Sequence, residues 1–321
     1  MAARLRVAVL YGGQSGEHDV SVLSAQSVMA HLDTSRYEVA PIYITRDGRW
    51  PIPLEQLRAF DVVFPVLHGP MGEDGTVQGL LTLLGVPFVG AGVTGSAVGM
   101  DKAIFKDVMR AHGLPVPPSI VVRRHEWLHH PEAVQARALR EIGLPCFVKP
   151  ACLGSSIGVS KVKTQDAFSA AMDEAFRWDR KVLIERAVPK ARELEVSVLG
   201  NDTLRASVVG EIIPSREFYD YAAKYLDSGE RASRLLIPAP LPEAVADWVR
   251  TLALHAAEAT EARGMARVDF LVDGERGEVF ISEINTIPGF TPISMYPKLW
   301  EASGVPYAEL LNTLIALALE R

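Results

Sequence analysis

The chain has 321 residues, 48% hydrophobic and 22% charged, an ordinary globular composition whose length suits about two or three domains. Its 39 acidic against 33 basic residues give a formal charge of −6, which argues against nucleic acid as a partner, since a phosphate backbone demands a basic footprint. Cys146 and Cys152 form no CxxC pair and exclude a disulfide framework; no apolar run reaches 18 residues, so no membrane span and a reduced, cytoplasmic location are expected.

The first segment, LRVAVLYGG (Leu5–Gly13), reads as a buried strand entering a glycine turn, not as a signal peptide. A helix over Val20–Leu32 follows. Then come the strand YEVAPIYI, the strand Asp61–Gly69, a helix Val77–Leu84 and VPFVG. Strands alternating with helices predict a parallel α/β layer. The helix MDKAIFKDVMRAHG ends at Gly113, and LPVPPS marks a boundary. PSIVV, CFVKP, GVSKV and KVLIE predict a small α+β unit with helices near Ala133–Ile142 and Asp166–Arg177. ELEVSVLG, TLRASVVGEI, ARVDFLV and EVFISEIN predict the strands of a larger one, with helices near Pro242–Arg263 and Tyr307–Leu319. The expected fold class is α/β plus α+β in three domains, residues 1–101, 102–185 and 186–321.

Three familiar patterns fail their context tests. GAGVTG (Gly90–Gly95) matches the dinucleotide fingerprint, but no acid lies about 20 residues on, so a glycine-rich turn is expected. HEWLH (His125–His129) matches the zinc-protease motif. Pro131 and the flanking arginines give it poor helical context, so a polar surface connection is expected. NDT (Asn201–Thr203) is read as a turn between strands rather than a glycosylation site.

MARVDFLVDGERGEVFISEINT reads as a hairpin. If its turn centres on Arg276, Asp269 lies opposite Glu283 and Arg267 opposite Asn285, all on one face. Facing carboxylates repel, and a hard divalent cation would remove the repulsion using Asp, Glu and Asn oxygens. Mg²⁺ keeps waters and substrate phosphates in such sites, so the face suggests Mg-ATP. A solvated hairpin with Arg267 paired to a carboxylate explains the same residues equally well. FVKPACLGSSIGVSKV (Phe147–Val162) offers Lys149, serine hydroxyls and glycine-exposed N–H groups, the donors a triphosphate needs; a polar turn explains the glycines but less well the lysine.

In order, that loop, KVLIERAV and RVDF…SEINTIPGFT resemble the ATP-grasp enzymes. YGGQSGEHDVS, LHGPMGEDGTVQG, MDK and EFYDYAAKY narrow the resemblance to the D-alanine–D-alanine ligase family over about Val7 to Met295. The resemblance implies ATP-dependent joining of two D-alanines through an acyl phosphate, for peptidoglycan precursors. It implies Lys102, Lys149 and Lys224 on ATP phosphates. Glu185 with the backbone of Arg186, Ala187 and Val188 would hold adenine, Glu193 the ribose, and Phe218 would cover the nucleotide. Asp269, Glu283 and Asn285 would bind two Mg²⁺ ions, for which Mn²⁺ can substitute; a monovalent cation, which activates some relatives, is a further candidate. Glu17 would anchor the first D-alanine's ammonium and join Ser155 and Tyr225 in closing a loop. Ser294, the Met295 backbone and His68 would hold the second D-alanine. Arg267 and the Gly289 N–H would stabilise the oxyanion. Tyr225, where D-lactate-using relatives carry histidine, implies dipeptide formation, and a homodimer is expected. The base that deprotonates the second amine has no signal in the sequence. Cys152 stands where relatives commonly carry a polar residue, and is expected either near the phosphates, shielded by nucleotide, or as a small buried side chain. The rival readings are another carboxylate–amine ligase on this fold, a nicotinamide oxidoreductase using Gly90–Gly95, and a non-catalytic nucleotide module.

Overall fold

The computed structural model describes residues 4–214 and 233–320. Phe218, Lys224 and Tyr225 lie outside the described residues. Among the described residues the strands form three sheets.

The first sheet is parallel, with β1 (Leu5–Gly12) between β2 (Tyr37–Ile44) and β3 (Val62–Pro65). Val7, Ala8, Val9 and Leu10 are all fully buried, the continuous apolar run of a strand covered on both faces. The expected strand Asp61–Gly69 stops at Pro65, and residues from Val66 onward run as a loop into the helix Thr76–Leu84. That loop brings His68 and Glu73 to the site described below.

The second sheet is antiparallel, in the order β4 (Ser119–Arg123), β7 (Lys181–Arg186), β5 (Cys146–Pro150), β6 (Ser160–Val162). Val148, Val162, Val182 and Ile184 pack on one side against Phe168, Met172 and Ala175 of the helix Phe168–Trp178. Strand alternation sends Phe147, Lys149 and Glu185 to the other side.

The third sheet is antiparallel and runs β11 (Arg234–Leu236), β10 (Gly210–Ile213), β8 (Arg192–Gly200), β12 (Gly264–Val272), β13 (Val279–Asn285), with β9 (Arg205–Ala206) on β8. The expected strand through TLRASVVGEI is thus split between β9 and β10. Leu194, Val196, Val268 and Phe270 are buried beneath the helix Glu243–Ala259, so Glu193, Glu195, Arg267 and Asp269 face the opposite way.

Two packing relations cross the sequence-based segments. The helix Lys102–Ala111 sends Phe105 and Met109 into the core of the third sheet. The final helix, Tyr307–Leu319, packs Leu310, Leu311 and Leu314 into the core of the first. No single helix among the described residues is long and apolar enough to cross a membrane.

HEWLH differs from expectation. Arg124–His129 is a short helix, with Trp127 buried and donating its indole N–H to Asp173 at 2.8 Å. Trp127 belongs to the core of the second sheet, which gives this helix a packing role. GAGVTG also continues into a helix, Val93–Met100. A Cβ on Gly95 would lie 2.5 Å from the Glu261 carbonyl oxygen, so this glycine serves close packing.

Candidate active site

A cavity of about 440 Å³ lies between the second and third sheets, lined by Phe147, Lys149 and Lys161 on one side and Glu193, Asp269 and Glu283 on the other. The hairpin register at its floor is the one read from the sequence: Arg267 pairs with Asn285 and Asp269 with Glu283. Nearer the turn the register slips, and Phe270 pairs with Ile281. Ser282 is the extra residue of a β-bulge. Ile281, which simple alternation would put beside Glu283, is instead fully buried in the core. The bulge re-aims Glu283 onto the site face, a common use of bulges beside active sites.

Asp269 also pairs with Glu195 on the other flanking strand. Glu195, Asp269 and Glu283 therefore form a row of carboxylates across three strands. Glu195 has no counterpart in the sequence-based site. A signal exists, as Glu193 and Glu195 alternate with Leu194 and Val196, but the register that puts Glu195 beside Asp269 is long-range.

Cations hold this row. Arg267 forks onto Asp269, Nε to Oδ1 and one terminal nitrogen to Oδ2, both at 2.7 Å, and Nε lies 3.0 Å from Glu195. Asn285 Nδ2 donates to Asp269 at 3.1 Å. Lys102 Nζ lies 3.4 Å from Glu283 and donates to the Leu153 carbonyl at 2.6 Å. Burial works against Arg267's charge, but Asp269 and Glu195 outweigh it and raise its pKa well above the usual value. Opposed carboxylates with an adjacent amide, held by a guanidinium and an ammonium, are a donor set that suits a hard divalent cation. The residues present fit such an ion.

On the cavity's other wall, Lys149 Nζ donates to Glu185 Oε1 at 2.6 Å, and Lys106 Nζ lies 2.5 Å from Glu185 Oε2. Glu185 and Lys106 are each 1% exposed. Burial alone would raise Glu185, but the two lysines outweigh it and hold the carboxyl down at about 2. Burial would likewise lower Lys149, yet Glu185 keeps it raised. Burial pulls Lys106 down, with Glu185 opposing. Glu185 is thus committed to lysines. Arg186 turns away, its guanidinium donating to the Ile142 and Glu141 carbonyls, and the Ala187 N–H is bonded to Pro145. Ala187 and Val188 line the cavity.

A smaller cavity of about 90 Å³ adjoins the first and shares Ser155, Glu195 and Glu283 with it. Glu17, His68, Arg267, Gly289, Ser294 and Met295 also line it. Ser155 Oγ donates to Glu17. Ser155 holds φ at 50°, and a Cβ on the preceding Gly154 would lie 2.8 Å from Glu17 Oε2, so a side chain there would push the Glu17 carboxylate aside. His68 is buried, its ring nitrogens against the Ile287 carbonyl (3.1 Å) and Ser24 Oγ (3.2 Å). Burial lowers its pKa, against the pull of Glu17. Ser294 Oγ accepts from the Thr291 N–H at 3.0 Å, and the helix Met295–Ala302 starts just beyond.

Glu73 is a second site residue that sequence reasoning misses. It lines the small cavity and accepts from the Gly69 N–H at 2.6 Å. Burial, then the nearby Glu17, push its carboxyl from 4.5 up to about 8. The folded protein therefore keeps a proton that the unfolded chain releases. The stabilisation is full below pH 4.5 and is lost as pH rises through about 8. Melting temperature should fall over that window, and Glu73→Gln should flatten this slope; an unchanged slope in the variant would exclude Glu73 as its source.

Cys152 is half-buried, with its thiol against Asp101 at 3.6 Å and its N–H donating to Asp179. Burial, then Asp101, push the thiol up to about 12. Both effects favour the neutral thiol.

Two family models cover most of the chain, one described as D-ala D-ala ligase N-terminus over residues 6–59 and 51–91, the other as D-ala D-ala ligase C-terminus over residues 108–316. The D-alanine--D-alanine ligase of Deinococcus radiodurans is 48% identical, over 98% of both chains. The chain belongs to the D-alanine–D-alanine ligase family. The ligase of Thermoanaerobacter sp. is also 48% identical, over 98% of this chain and 96% of its own length. A solved D-alanine-D-alanine ligase from Coxiella burnetii superposes with a TM-score of 0.87 at 37% identity, covering 100% of this chain and 95% of its own. The VanG D-Ala:D-Ser ligase from Enterococcus faecalis does so at 0.88 and 32%, covering 98% and 100%. The mixed α/β fold expected from the sequence is the fold of this ligase family.

Proposed function

We propose that this protein joins two D-alanine molecules into D-alanyl-D-alanine at the expense of ATP, for peptidoglycan precursor synthesis. The observation that carries the reading is the adjacency of the two cavities: a lysine-walled space large enough for nucleotide shares Ser155, Glu195 and Glu283 with a small polar one holding Glu17, Arg267 and Ser294.

In the proposed mechanism Lys102 and Lys149 take the ATP phosphates, with Ala187 and Val188 beside the adenine and Glu193 on the ribose. Glu185 contributes by holding Lys149, alongside the adenine role expected from the family. Phe218 and Lys224 would cover the nucleotide from the segment outside the described residues. Asp269, Glu283 and Asn285 would hold two Mg²⁺ or Mn²⁺ ions, which supply charge neutralisation at the phosphoryl group. Glu17 anchors the first D-alanine's ammonium, with Ser155 and Tyr225 closing the loop over it. That D-alanine's carboxylate attacks the γ-phosphorus, ADP leaves and an acyl phosphate forms. The second D-alanine, its carboxylate at Ser294 and the Met295 N–H, with His68 nearby, attacks the acyl carbonyl through its amine. The amine gives up a proton and phosphate leaves. Arg267 and the Gly289 N–H receive the oxyanion. The family resemblance supports a cytoplasmic homodimer.

The test is phosphate release from ATP with D-alanine, L-alanine, D-serine or D-lactate added, and product mass. D-alanine-dependent release with the dipeptide formed is expected. Preference for D-serine as second substrate, the pairing named for the E. faecalis D-Ala:D-Ser ligase, would redirect the assignment; no D-alanine-dependent release would end it.

A further inference from the structure

We infer that Lys106 is a positioning residue of the nucleotide–metal site, acting at once on Lys149 through Glu185 and on Glu283 through the bulge at Ser282. The inference rests on the proposed function for the identity of the ligands, and on geometry for the rest.

Lys106 sits inside the molecule, 1% exposed, on a helix whose neighbouring Phe105 and Met109 are core residues. Lysine is almost never fully buried unless paired, because an isolated buried ammonium is costly. An apolar side chain would fill this position at lower cost, so what the ammonium holds is the informative feature. It holds two groups from different sheets: Glu185 Oε2 at 2.5 Å and the Ser282 carbonyl at 3.1 Å.

Each contact controls a site residue. Glu185's other oxygen accepts from Lys149. Two lysines on one carboxylate leave a net positive charge, and Lys149 is the one lining the nucleotide cavity. Without Lys106, Glu185 and Lys149 become a closed neutral pair, and the cavity loses attraction for phosphate. The second contact falls on Ser282, which has no partner in the ladder between β12 and β13. A bulge leaves its extra residue unpaired, and here Lys106 takes up the carbonyl. Glu283 is the next residue, and its place on the site face depends on that bulge, because a slip of one residue sends a side chain to the opposite face.

The test uses Lys106→Met, which keeps the stem length and removes the charge, and Lys106→Met/Glu185→Gln, which also removes the stranded carboxylate. Two binding measurements without D-alanine are read: calorimetry with Mg-ATP, and Mn²⁺ titration by EPR with ADP present. Lys106→Met should weaken Mg-ATP by about tenfold or more, within the range for residues sharing one ion-pair network. It should also raise the Mn²⁺ midpoint. The double variant should recover melting temperature but keep the raised Mn²⁺ midpoint, since the Ser282 anchor is still gone. A purely structural lysine would lower melting temperature and leave both binding curves in place. Binding within about twofold of the parent protein in folded Lys106→Met overturns the inference. If that variant does not fold, an unshifted Mn²⁺ midpoint in the double variant overturns it. Because neither readout involves D-alanine, a failed ligation assay with the parent protein would refute the proposed function and leave this result separate.

Discussion

Asp269→Ala and Glu283→Ala are each expected to lower D-alanine-dependent phosphate release by roughly 10³-fold or more, the scale on which phosphoryl transfer responds to losing a charge-stabilising partner. Neither should unfold the protein. Both carboxylates face the cavity, while the core side of the same strands is built by Val268, Phe270, Ile281 and Ile284. The two acids oppose each other in register, which is repulsive unless a cation lies between them. Glu283→Ala removes that repulsion, at the loss of the 3.4 Å contact with Lys102 among others. Its melting temperature without divalent ions should therefore match or exceed the parent's, while added Mg²⁺ should stabilise the parent and not the variant. Asp269→Ala should be the less stable of the two, because it takes away both acceptors of the Arg267 fork. If the hairpin face were only solvated, both variants would keep activity within a few-fold. Full-length kinetics with paired melting curves, with and without Mg²⁺, separate the two pictures.

The hairpin also marks how far the sequence can be read. Period-two alternation and a counted turn are enough to pair Asp269 with Glu283 and Arg267 with Asn285, because that information is local. The same count puts Ile281 on the site face, since nothing local announces a bulge at Ser282. The carbonyl of that extra residue is taken up by a lysine 176 residues away. Glu195 escapes a sequence reading for a related cause: its neighbour on β12 is fixed only when two distant strands pair. Lys106 reads as one polar position of an amphipathic helix, and only the meeting of the second and third sheets around it buries it. Glu73 stands in the GEDG stretch, but its altered acidity comes from burial near Glu17, again a tertiary effect. HEWLH misleads in the opposite sense. Proline at 131 argues locally against a helix, yet it begins the next one, Pro131–Glu141, a position where proline is well tolerated.

Arg267→Ala is expected to cost about 10²–10³ in kcat, the usual loss for one oxyanion donor, with a smaller change in KM for ATP. The geometry sharpens what the side chain must do. At rest its fork is spent on Asp269 at 2.7 Å through two nitrogens, with Glu195 at 3.0 Å from Nε. An ion bound by Asp269 would compete with that fork. Glu195 then becomes the anchor that keeps the guanidinium in the small cavity beside Gly289 and Ser294, where it can face a developing oxyanion. Arg267→Lys should recover little, since an ammonium cannot reach two acceptors in the planar geometry of the fork. The alternative is that Arg267 serves only to neutralise the carboxylate row. That alternative makes a different prediction for Arg267→Ala/Glu195→Gln, in which one positive and one negative charge are removed together: activity should return with stability. If Arg267 donates to the oxyanion, the double variant should regain melting temperature and remain as slow as Arg267→Ala, because a repaired charge balance supplies no donor at the reacting carbonyl.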